Sequence, residues 1–381
     1  MPPPQLVPPQ LTVVIPAKRG SLVWKPPPQG RPTQEQDPVK TFFSEEHRRH
    51  FPQAELSGGQ FVTPYERPSR VEYVLARLKE RGMTDIVAPG APDMAAIRAL
   101  CAPDYLDFLE NAWAEWKAEG MAGEIIAASF PARRMQAGRP PRNIDGKVGY
   151  YALASETAMT GGTWAAALSS AASAQAAQAH VAGGAKSAFA LCRPPGHHAT
   201  ADMYGGYCFI NNAALVAEAF RRDGAGRVAI LDIDFHHGNG TQDIFYDRGD
   251  IFFASLHGAP EDAFPYFLGY ADETGAGAGE GTTANYPMLP GTGYGPWSAA
   301  LDDAIARIRA FGAEALVVSL GVDAYKDDPI SFFKLDSPDF MDAGRRIGTL
   351  GLPTVFCMEG GYAIEAVGVN AVNVLEGYQD A

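Results

Sequence analysis

Four clusters of polar and titratable side chains each follow a short apolar run in this chain of 381 residues. They occupy residues 193–198, 232–240, 321–323 and 358–362. The runs before them are rich in β-favouring residues, which is typical of strands that a parallel sheet buries on both faces. Ligands of open α/β sheets bind beyond the carboxyl ends of the strands, so we expect the four clusters to meet in one crevice.

The central cluster begins with Asp232 and continues to His236 as Asp-Ile-Asp-Phe-His. Side chains alternate along a strand, so Asp234 and His236 point the same way and can face one ion. Asp323 ends another apolar run and can supply a third ligand. Two carboxylates and an imidazole, with positions left open for water and substrate, are typical of a catalytic zinc site. A solvated turn after the strand is the alternative, but it does not account for Asp323.

The adjacent histidines His197 and His198 follow a rigid Pro-Pro-Gly turn. A lone histidine is more often structural, but an adjacent pair after a predicted strand favours catalysis. One imidazole can act as a general base toward a water at the metal and then protonate the leaving amine. Each ring needs an acceptor that fixes its tautomer, and Asp232 and Asn239 are the candidates.

Tyr362 follows Gly360 and Gly361, which allow backbone conformations that side chains would block. A phenol at this position could donate a hydrogen bond to a developing oxyanion opposite the metal. The alternative is a surface tyrosine after a turn. Tyr207 and Phe264 adjoin glycine-rich segments and could form the walls of a tunnel, whereas outside this context both would be assigned to the hydrophobic core.

Strand-like and helix-like segments alternate along the chain from residue 40 onward. Helices are predicted at 69–79, 103–117 and 163–182, and the segments that alternate after them are 188–191, 211–222, 228–233, 297–310, 315–320, 337–350 and 354–358. The pattern predicts an α/β fold with a single-domain open parallel sheet and helices on both faces. Residues 124–149 and 262–295 are predicted to be long loops, which are usually functional in compact domains.

The composition is that of a globular protein, with 46% hydrophobic residues, and the net charge of −13 is acidic. That charge argues against nucleic acid and anionic membranes as partners and favours cationic ligands, although acidity also serves solubility. Residues 1–39 hold 11 of the 30 prolines and are predicted to be an extended N-terminal arm, with a catalytic domain at 40–381. We find no signal peptide and no continuous apolar segment of the ~18 residues that cross a bilayer.

The four cysteines show no Cys-x-x-Cys spacing, and we expect reduced thiols in a cytoplasmic protein.

These motifs together resemble the arginase–deacetylase superfamily, and within it the bacterial acetylpolyamine amidohydrolases. The match runs from about Phe42 to the C-terminus and excludes the Pro-rich arm. Its segments are 129–131, 149–151, 162–164, 192–198, 205–212, 232–246, 253–257, 319–323 and 328–334. The resemblance implies the arginase–deacetylase fold and a single Zn²⁺ bound by Asp234, His236 and Asp323.

The resemblance also implies the roles of the remaining site residues. His198 corresponds to the general base and acid, His197 to its electrostatic partner paired with Asp232, and Tyr362 to the oxyanion donor. Some relatives have aspartate where this chain has Asn239, which should leave His198 less basic. Two structural K⁺ sites are implied, one formed by Asp232, Asp234, His236, Ser255 and Leu256, and the other by Phe245, Arg248 and Ile251.

Residues that contact the substrate follow from the same resemblance. Gly206, Tyr207 and Phe264 correspond to the tunnel walls, Ile330 to an apolar pocket residue, and Glu55, Asp145 and Glu156 to carboxylates that meet the ammonium groups of a polyamine. Asp145 stands where the family pattern has glutamate, so its carboxylate is withdrawn by one C–C bond. The segment 124–149 aligns with an insertion by which partner subunits narrow each other's site, which implies a homodimer.

The sequence therefore predicts a zinc-dependent amidohydrolase that releases acetate from small cationic acetylated polyamines such as acetylspermidine or acetylputrescine. A lysine deacetylase acting on acetylated proteins or peptides is the nearest alternative, because it would use the same chemistry with a more open rim. A catalytically silent polyamine-binding protein is less consistent with a full set of ligands and Tyr362. A binuclear ureohydrolase is also disfavoured, since ligands can be assigned for one hydrolytic metal.

Overall fold

The structure is a computed structural model and describes residues 39–381. Its strands are β1 (Lys40–Phe42), β2 (Glu55–Ser57), β3 (Gln60–Val62), β4 (Ile86–Val87), β5 (Ser187–Ala190), β6 (Val228–Asp232), β7 (Ile251–Gly258), β8 (Thr283–Met288), β9 (Ala315–Leu320) and β10 (Thr354–Met358). Its α-helices are α1 (Ser69–Glu80), α2 (Met94–Leu100), α3 (Pro103–Ala118), α4 (Ile144–Tyr151), α5 (Thr163–Ala182), α6 (Asn212–Arg222), α7 (Asn239–Phe245), α8 (Tyr294–Phe311), α9 (Ser337–Gly348) and α10 (Ile364–Gln379). The predicted N-terminal arm lies outside the described residues apart from Val39.

Eight strands form one parallel sheet with the order β4-β1-β5-β10-β9-β6-β7-β8. Strands β6, β7, β9 and β10 are buried along their whole length, which in a parallel sheet requires cover over both faces. Strands β2 and β3 form a separate antiparallel hairpin. The predicted single-domain parallel α/β sheet is therefore confirmed.

The register of the central strands aligns their carboxyl ends. Asp232, the last residue of β6, pairs with Ser319 of β9, and Cys357 of β10 pairs with the same serine. Ala190, the last residue of β5, pairs with Cys357. The segments that follow β5, β6, β9 and β10 therefore leave the sheet at one level.

Local sequence signals explain where several helices begin. Asn211 caps α6 by accepting a hydrogen bond from the amide of Ala214. Asp336 and Asp339 form a reciprocal capping box at the start of α9. Pro103 lies in the first turn of α3, where its missing N–H leaves no hydrogen bond unmade. These signals agree with the starts predicted from the sequence.

The structure differs from the prediction in the two long loops. Residues 144–149, predicted to be loop, belong to α4, a short helix whose buried face (Ile144 and Val148) packs in one cluster with side chains of α3. Residues 283–288 form β8, which carries Pro287 and few large apolar side chains. This edge strand is stabilised by pairing with β7, and its own sequence pattern does not reveal it.

Besides α4 and β8, the elements β4, β7, α2, α7, α10 and the β2–β3 hairpin were absent from the predicted alternation. The cysteines Cys101, Cys192, Cys208 and Cys357 are all buried free thiols. None of the helices formed by residues 39–381 has the length and apolar character that crossing a bilayer would need.

Helices α9 and α10 approach closely because each presents a glycine to the other's backbone. A Cβ on Gly377 of α10 would lie 1.9 Å from the carbonyl oxygen of Met341 in α9. A Cβ on Gly344 of α9 would lie 2.1 Å from the carbonyl oxygen of Val374 in α10. Helix α10 begins two residues after Tyr362, so this contact also supports the segment that carries that tyrosine.

We predict that Gly377→Ala lowers the free energy of unfolding by roughly 1–3 kcal/mol, because the added methyl group forces the two helices apart. The matched control is Gly90→Ala, since Gly90 is exposed and its Cβ would meet no atom within 4 Å. Chemical denaturation should show the control within about 0.5 kcal/mol of the parent protein. Equal stability of both variants would contradict the close contact.

Candidate active site

The carboxyl ends of four adjacent strands carry all four polar clusters. The strand order β5-β10-β9-β6 brings the segments 193–198, 358–362, 321–323 and 232–240 beside one another. Their titratable side chains are all buried: Arg193, His197, His198, Asp232, Asp234, His236, His237, Asp323, Glu359 and Tyr362. The clusters therefore converge in one crevice, as the sequence predicts.

Asp234, His236 and Asp323 bring one potential ligand atom each to within 4.8 Å of one another. The Nδ1 atom of His236 lies 3.0 Å from Oδ2 of Asp323 and 3.4 Å from Oδ1 of Asp234. Zinc lies about 2.0–2.2 Å from its nitrogen and oxygen ligands. Two atoms bound to one zinc ion therefore lie roughly as far apart as the atoms measured here. The positions and types of these three side chains fit a divalent metal ion.

Backbone amides and glycines position the two carboxylates. The amide of Gly360 donates to Oδ2 of Asp234, and the amide of Phe235 donates to Oδ1 of Asp323, each over 2.7 Å. A Cβ on Gly321 would lie 2.0 Å from Oδ2 of Asp234, and one on Gly360 would lie 2.4 Å from Oδ2 of Asp323. Glycine at both positions therefore makes room for the carboxylates.

The charges of this group also fit a cation. Burial, reinforced by repulsion from Asp234, raises the pKa of Asp323 to about 7. Burial opposes ionisation of Asp234 too, but attraction to His197 and the hydrogen bond with His236 hold its pKa below the usual value. A bound divalent cation would offset both the repulsion and the lost hydration of these carboxylates.

A second group of potential ligands consists of His197, Cys208 and Glu359, and most of its polar atoms form hydrogen bonds within the protein, whereas Oε1 of Glu359 has no hydrogen-bond partner. Oε2 of Glu359 accepts from the amides of Gly196 at 2.6 Å and His197 at 3.1 Å. The thiol of Cys208 donates to the carbonyl of Gly206 at 3.2 Å. Glu359 thus connects the end of β10 to the turn that carries the histidine pair. Burial raises its pKa to about 8.

The two adjacent histidines have different environments. Nδ1 of His197 lies 3.0 Å from Oδ2 of Asp232. Burial opposes protonation of His197, but the carboxylates of Asp234 and Asp232 outweigh it and raise its pKa well above the usual value. These carboxylates favour the protonated form of His197, whose ring centroid lies 4.0 Å from that of His198.

His198 is held as a neutral ring with one defined tautomer. Its Nδ1 lies 2.6 Å from Oδ1 of Asn239, whose Nδ2 donates to the backbone carbonyl of His198 at 3.3 Å. Because Oδ1 can only accept, the proton of the ring lies on Nδ1, and Nε2 keeps a free lone pair. Burial, with the positive charge of His197, lowers the pKa of His198 well below the usual value. These are the properties of a general base.

Tyr362 lies against a buried arginine. The guanidinium of Arg70 is 4.8 Å from the centroid of the Tyr362 ring and donates to the carbonyls of Gly361 and Glu359, each over 2.6 Å. Burial outweighs the attraction of Arg70 and raises the pKa of Tyr362 well above the usual value. The phenol therefore keeps its proton and can donate a hydrogen bond.

A cavity of about 460 Å³ gives access to this crevice. The predicted site residues that line it are Glu55, Glu156, His198, Gly206, Tyr207, His236, Phe264, Ile330 and Tyr362. Its rim is aromatic, and Phe267 at the rim is 85% exposed. A long flexible ligand could therefore pass from solvent to His198 and Tyr362.

Carboxylates and backbone form one wall of this cavity. The hydroxyl of Tyr207 donates to Oε1 of Glu55 at 3.2 Å, and the amide of Gly206 donates to Oε1 of Glu156 at 3.0 Å. Gly206 has a φ of 53°, and a Cβ there would lie 2.1 Å from Cδ2 of His198. Glycine at position 206 therefore allows the cavity wall to contact the imidazole ring of His198. Burial raises the pKa of Glu55 to about 7.

Asp145 is the one predicted substrate residue that does not line the cavity. It lies in the first turn of α4, and its amide donates to the side chain of Asn143, which caps the helix. Its contact with a polyamine stays a prediction.

The residues of the first predicted K⁺ site lie at and just beyond the carboxyl end of β6 and beside it in β7. Phe245, Arg248 and Ile251 of the second site lie between the end of α7 and the start of β7. Ser255 pairs with Asp232 in the sheet, and its hydroxyl is 2.9 Å from Nδ1 of His257. Arg248 forms ion pairs with Asp250 and Glu218, so its side chain is engaged. Phe245 accepts a hydrogen bond at its carbonyl from the amide of Arg248.

Several residues that shape the site were not singled out from the sequence. Glu66 forms buried ion pairs with Arg70 at 3.0 Å and with Arg193 at 2.8 Å. Glu66 and Arg193 are 127 residues apart, so no local pattern joins them. Asp328 lies in a segment that resembles the family, but an aspartate in a predicted loop does not by itself indicate a role in the site. Asp262 also lines the cavity; it begins the predicted loop 262–295 but was not singled out as a site residue.

Comparison with known proteins agrees with this geometry. The sequence profile of the histone deacetylase domain matches residues 64–378. The acetylpolyamine amidohydrolase of Mycoplana ramosa is 57% identical over 339 residues, which cover 89% of this chain and 99% of that protein. Acetylpolyamine amidohydrolase 1 of Pseudomonas aeruginosa is 56% identical over 340 residues, covering 89% of this chain and 98% of the relative.

Solved structures show the same architecture. The crystal structure of acetylpolyamine aminohydrolase from Burkholderia pseudomallei superposes with a TM-score of 0.84 at 40% identity, covering 89% of this chain and 98% of that one. The HDA15 HD domain has a TM-score of 0.76 at 24% identity, covers 91% of this chain and 90% of its own, and supports the fold alone. The resemblance expected from the motifs is confirmed, and the chain belongs to the histone deacetylase domain family.

Proposed function

We propose that this protein is a zinc-dependent amidohydrolase that removes acetyl groups from acetylated polyamines, giving free polyamine and acetate. The observation that carries the proposal is one cavity that joins carboxylates at its wall to a neutral histidine, a protonated tyrosine and a group of metal-type ligands. The relatives named acetylpolyamine amidohydrolases support the choice of substrate.

Asp234, His236 and Asp323 would hold the zinc ion. When bound, the ion supplies a Lewis acid that polarises the acetyl carbonyl and lowers the pKa of water. His198 accepts the proton of the attacking water at Nε2, because its Nδ1 proton is already donated to Asn239. The same proton then passes from Nε2 to the nitrogen of the departing amine, and the C–N bond breaks.

Tyr362 supplies the second stabilising group. Its phenol donates a hydrogen bond to the carbonyl oxygen as negative charge develops there. His197 remains a cation paired with Asp232, which keeps His198 neutral until the reaction begins. The division of labour between the two histidines follows from their different partners.

Substrate selection is assigned to charge and shape together. Glu55 and Glu156 face a cavity walled by Tyr207, Phe264 and Ile330, so methylene groups can pack while an ammonium group meets a carboxylate. An ammonium beside Glu55 would also favour the ionised form of that buried acid. This arrangement suits a slender cation better than a neutral amide.

We further propose that two copies associate through the segment 124–149. The proposal rests on the family resemblance and on Phe130 and Met135, which are 37% and 65% exposed in one subunit. A partner would cover these side chains, narrow the entrance and bring Asp145 toward a neighbouring cavity. The two K⁺ sites remain a proposal that rests on the resemblance, with the pairing of Asp232 and Ser255 in support of the first.

One assay separates the polyamine proposal from a protein lysine deacetylase. We expect kcat/KM to be higher for acetylspermidine than for acetyl-lysine peptides, because a narrow acidic entrance disfavours folded or neutral substrates. Higher kcat/KM for the peptides would overturn the substrate assignment and leave the hydrolytic chemistry unchanged.

The metal assignment predicts that Asp323→Ala loses both bound zinc and turnover. The loss of activity should exceed the ~10–100-fold that removal of an outer-shell partner costs. Metal analysis after dialysis, with circular dichroism to verify folding, measures the first effect. The exposed neighbour Asp327, changed to Ala, is the control. Stoichiometric zinc with near-normal rates in Asp323→Ala would refute the assignment.

The oxyanion assignment predicts that Tyr362→Phe keeps the zinc and the fold but lowers kcat by about 10²–10³. The ring is preserved, so its packing against Arg70 is retained while the donor is lost. Steady-state kinetics with acetylspermidine at saturating metal provides the measurement. A decrease of less than about threefold would remove Tyr362 from this role, given the size expected for such a donor.

The charge assignment predicts that Glu156→Gln lowers kcat/KM for acetylspermidine. Glutamine keeps the oxygen that accepts from the amide of Gly206, so the change removes charge with little loss of structure. A neutral acetyl-amide of similar length should be far less affected, and added salt should weaken the preference of the parent enzyme. Equal losses for the charged and neutral substrates would show that Glu156 serves structure alone.

A further inference from the structure

Asp328 is a buried carboxylate in the loop between β9 and α9, and backbone amides engage both of its oxygens. Oδ2 accepts from the amide of Tyr362 at 2.7 Å and from the amide of Ala363 at 3.2 Å. Oδ1 accepts from the amide of Ile330 at 3.1 Å. The residue is 6% exposed, while its neighbour Asp327 is exposed. One carboxylate therefore joins two segments that are distant in sequence.

Both segments held by Asp328 line the substrate cavity. Ile330 belongs to one wall, and Tyr362 lies at its inner end. The residue before Tyr362 is Gly361, whose φ of 126° is rarely adopted by other residues. A glycine turn restrains the following backbone weakly, so the direction of the phenol depends on contacts made from outside the turn.

Two charged side chains supply those contacts, one by binding backbone carbonyls and the other by binding backbone amides. Arg70 donates to the carbonyls of Glu359 and Gly361 on one side of the turn. Asp328 accepts from the amides of Tyr362 and Ala363 on the other. Hydrogen bonds with an ionised partner are about twice as strong as neutral ones, so this pair of contacts can fix the turn.

We propose that Asp328 is a positioning residue that aims Tyr362 at the acetyl oxygen. The proposal rests on the proposed role of Tyr362 as oxyanion donor. Asp328 touches no reacting atom, and it acts on the rate through the orientation of Tyr362. Its effect should therefore disappear when Tyr362 has no hydroxyl to orient.

Asp328→Asn tests this arrangement with little change in volume. Asparagine has one accepting oxygen, so its NH₂ group must face either the Tyr362–Ala363 amides or the amide of Ile330, donor against donor. Displacement of a catalytic group by about 1 Å can cost up to about 10²-fold in rate. We expect kcat for acetylspermidine to fall by about 10- to 10²-fold, with zinc content unchanged.

The experiment is a double-mutant cycle with Tyr362→Phe, and Asp327→Asn is the matched control. We expect Asp328→Asn to slow the parent enzyme but to change kcat by less than about twofold in the Tyr362→Phe background, as coupled positions do. Asp327→Asn should leave kcat and KM unchanged in both backgrounds. Equal slowing by Asp328→Asn in both backgrounds, or slowing by Asp327→Asn of the same size, would overturn the proposal.

The outcomes also separate this inference from the function on which it rests. Normal turnover in Tyr362→Phe alone would remove the oxyanion assignment and this inference with it. Slow turnover in Tyr362→Phe with an independent effect of Asp328 would remove the inference alone. If Asp328→Asn does not fold, Asp328→Glu keeps the charge and both acceptors but shifts them by one methylene. Its slowing should likewise vanish in the Tyr362→Phe background, and persistence there would overturn the proposal.

Discussion

Mutual repulsion among buried carboxylates is the constraint around which this structure is organised. Asp232, Asp234 and Asp323 are fully buried within one small volume at the ends of adjacent strands. Such a group is stable only with compensating charge and hydrogen bonds. His197, whose Nδ1 lies 3.0 Å from Oδ2 of Asp232, provides part of the compensation inside the protein. A divalent cation would provide the rest, so the requirement of stability and the requirement of catalysis point to the same ion.

The parallel sheet makes this crowding possible. Strand ends in register bring side chains from different parts of the chain to one level, and the turns beyond them expose amides that bind carboxylates. Glycines at 321 and 360 leave no Cβ where oxygen atoms must lie. The same device recurs farther out, where Glu359 holds the histidine turn and Asp328 holds the tyrosine turn. Buried acids thus serve the site as backbone restraints as well as ligands.

Charge also connects the inner site to its entrance. Glu55 and Glu156 line the same cavity as His198 and Tyr362, so a cationic chain inside it would meet carboxylates beside these two residues. The aromatic and glycine walls limit the width of that passage. Under the proposed function, the shape and the charge of the cavity would select the substrate together.

The sequence by itself determined the central strands β5, β6, β9 and β10 and the polar clusters at their ends, because both depend on short-range patterns. Asp234 and His236 are two residues apart in the segment just after β6, and the histidine pair follows a Pro-Pro-Gly turn. Tertiary structure alone decided the contacts between distant segments. The contacts of Glu66 with Arg193 and of Asp328 with Tyr362 form only on folding, and no local sequence pattern predicts them. The edge strand β8 belongs to the same class, since its pairing with β7 stabilises a segment that its own composition does not.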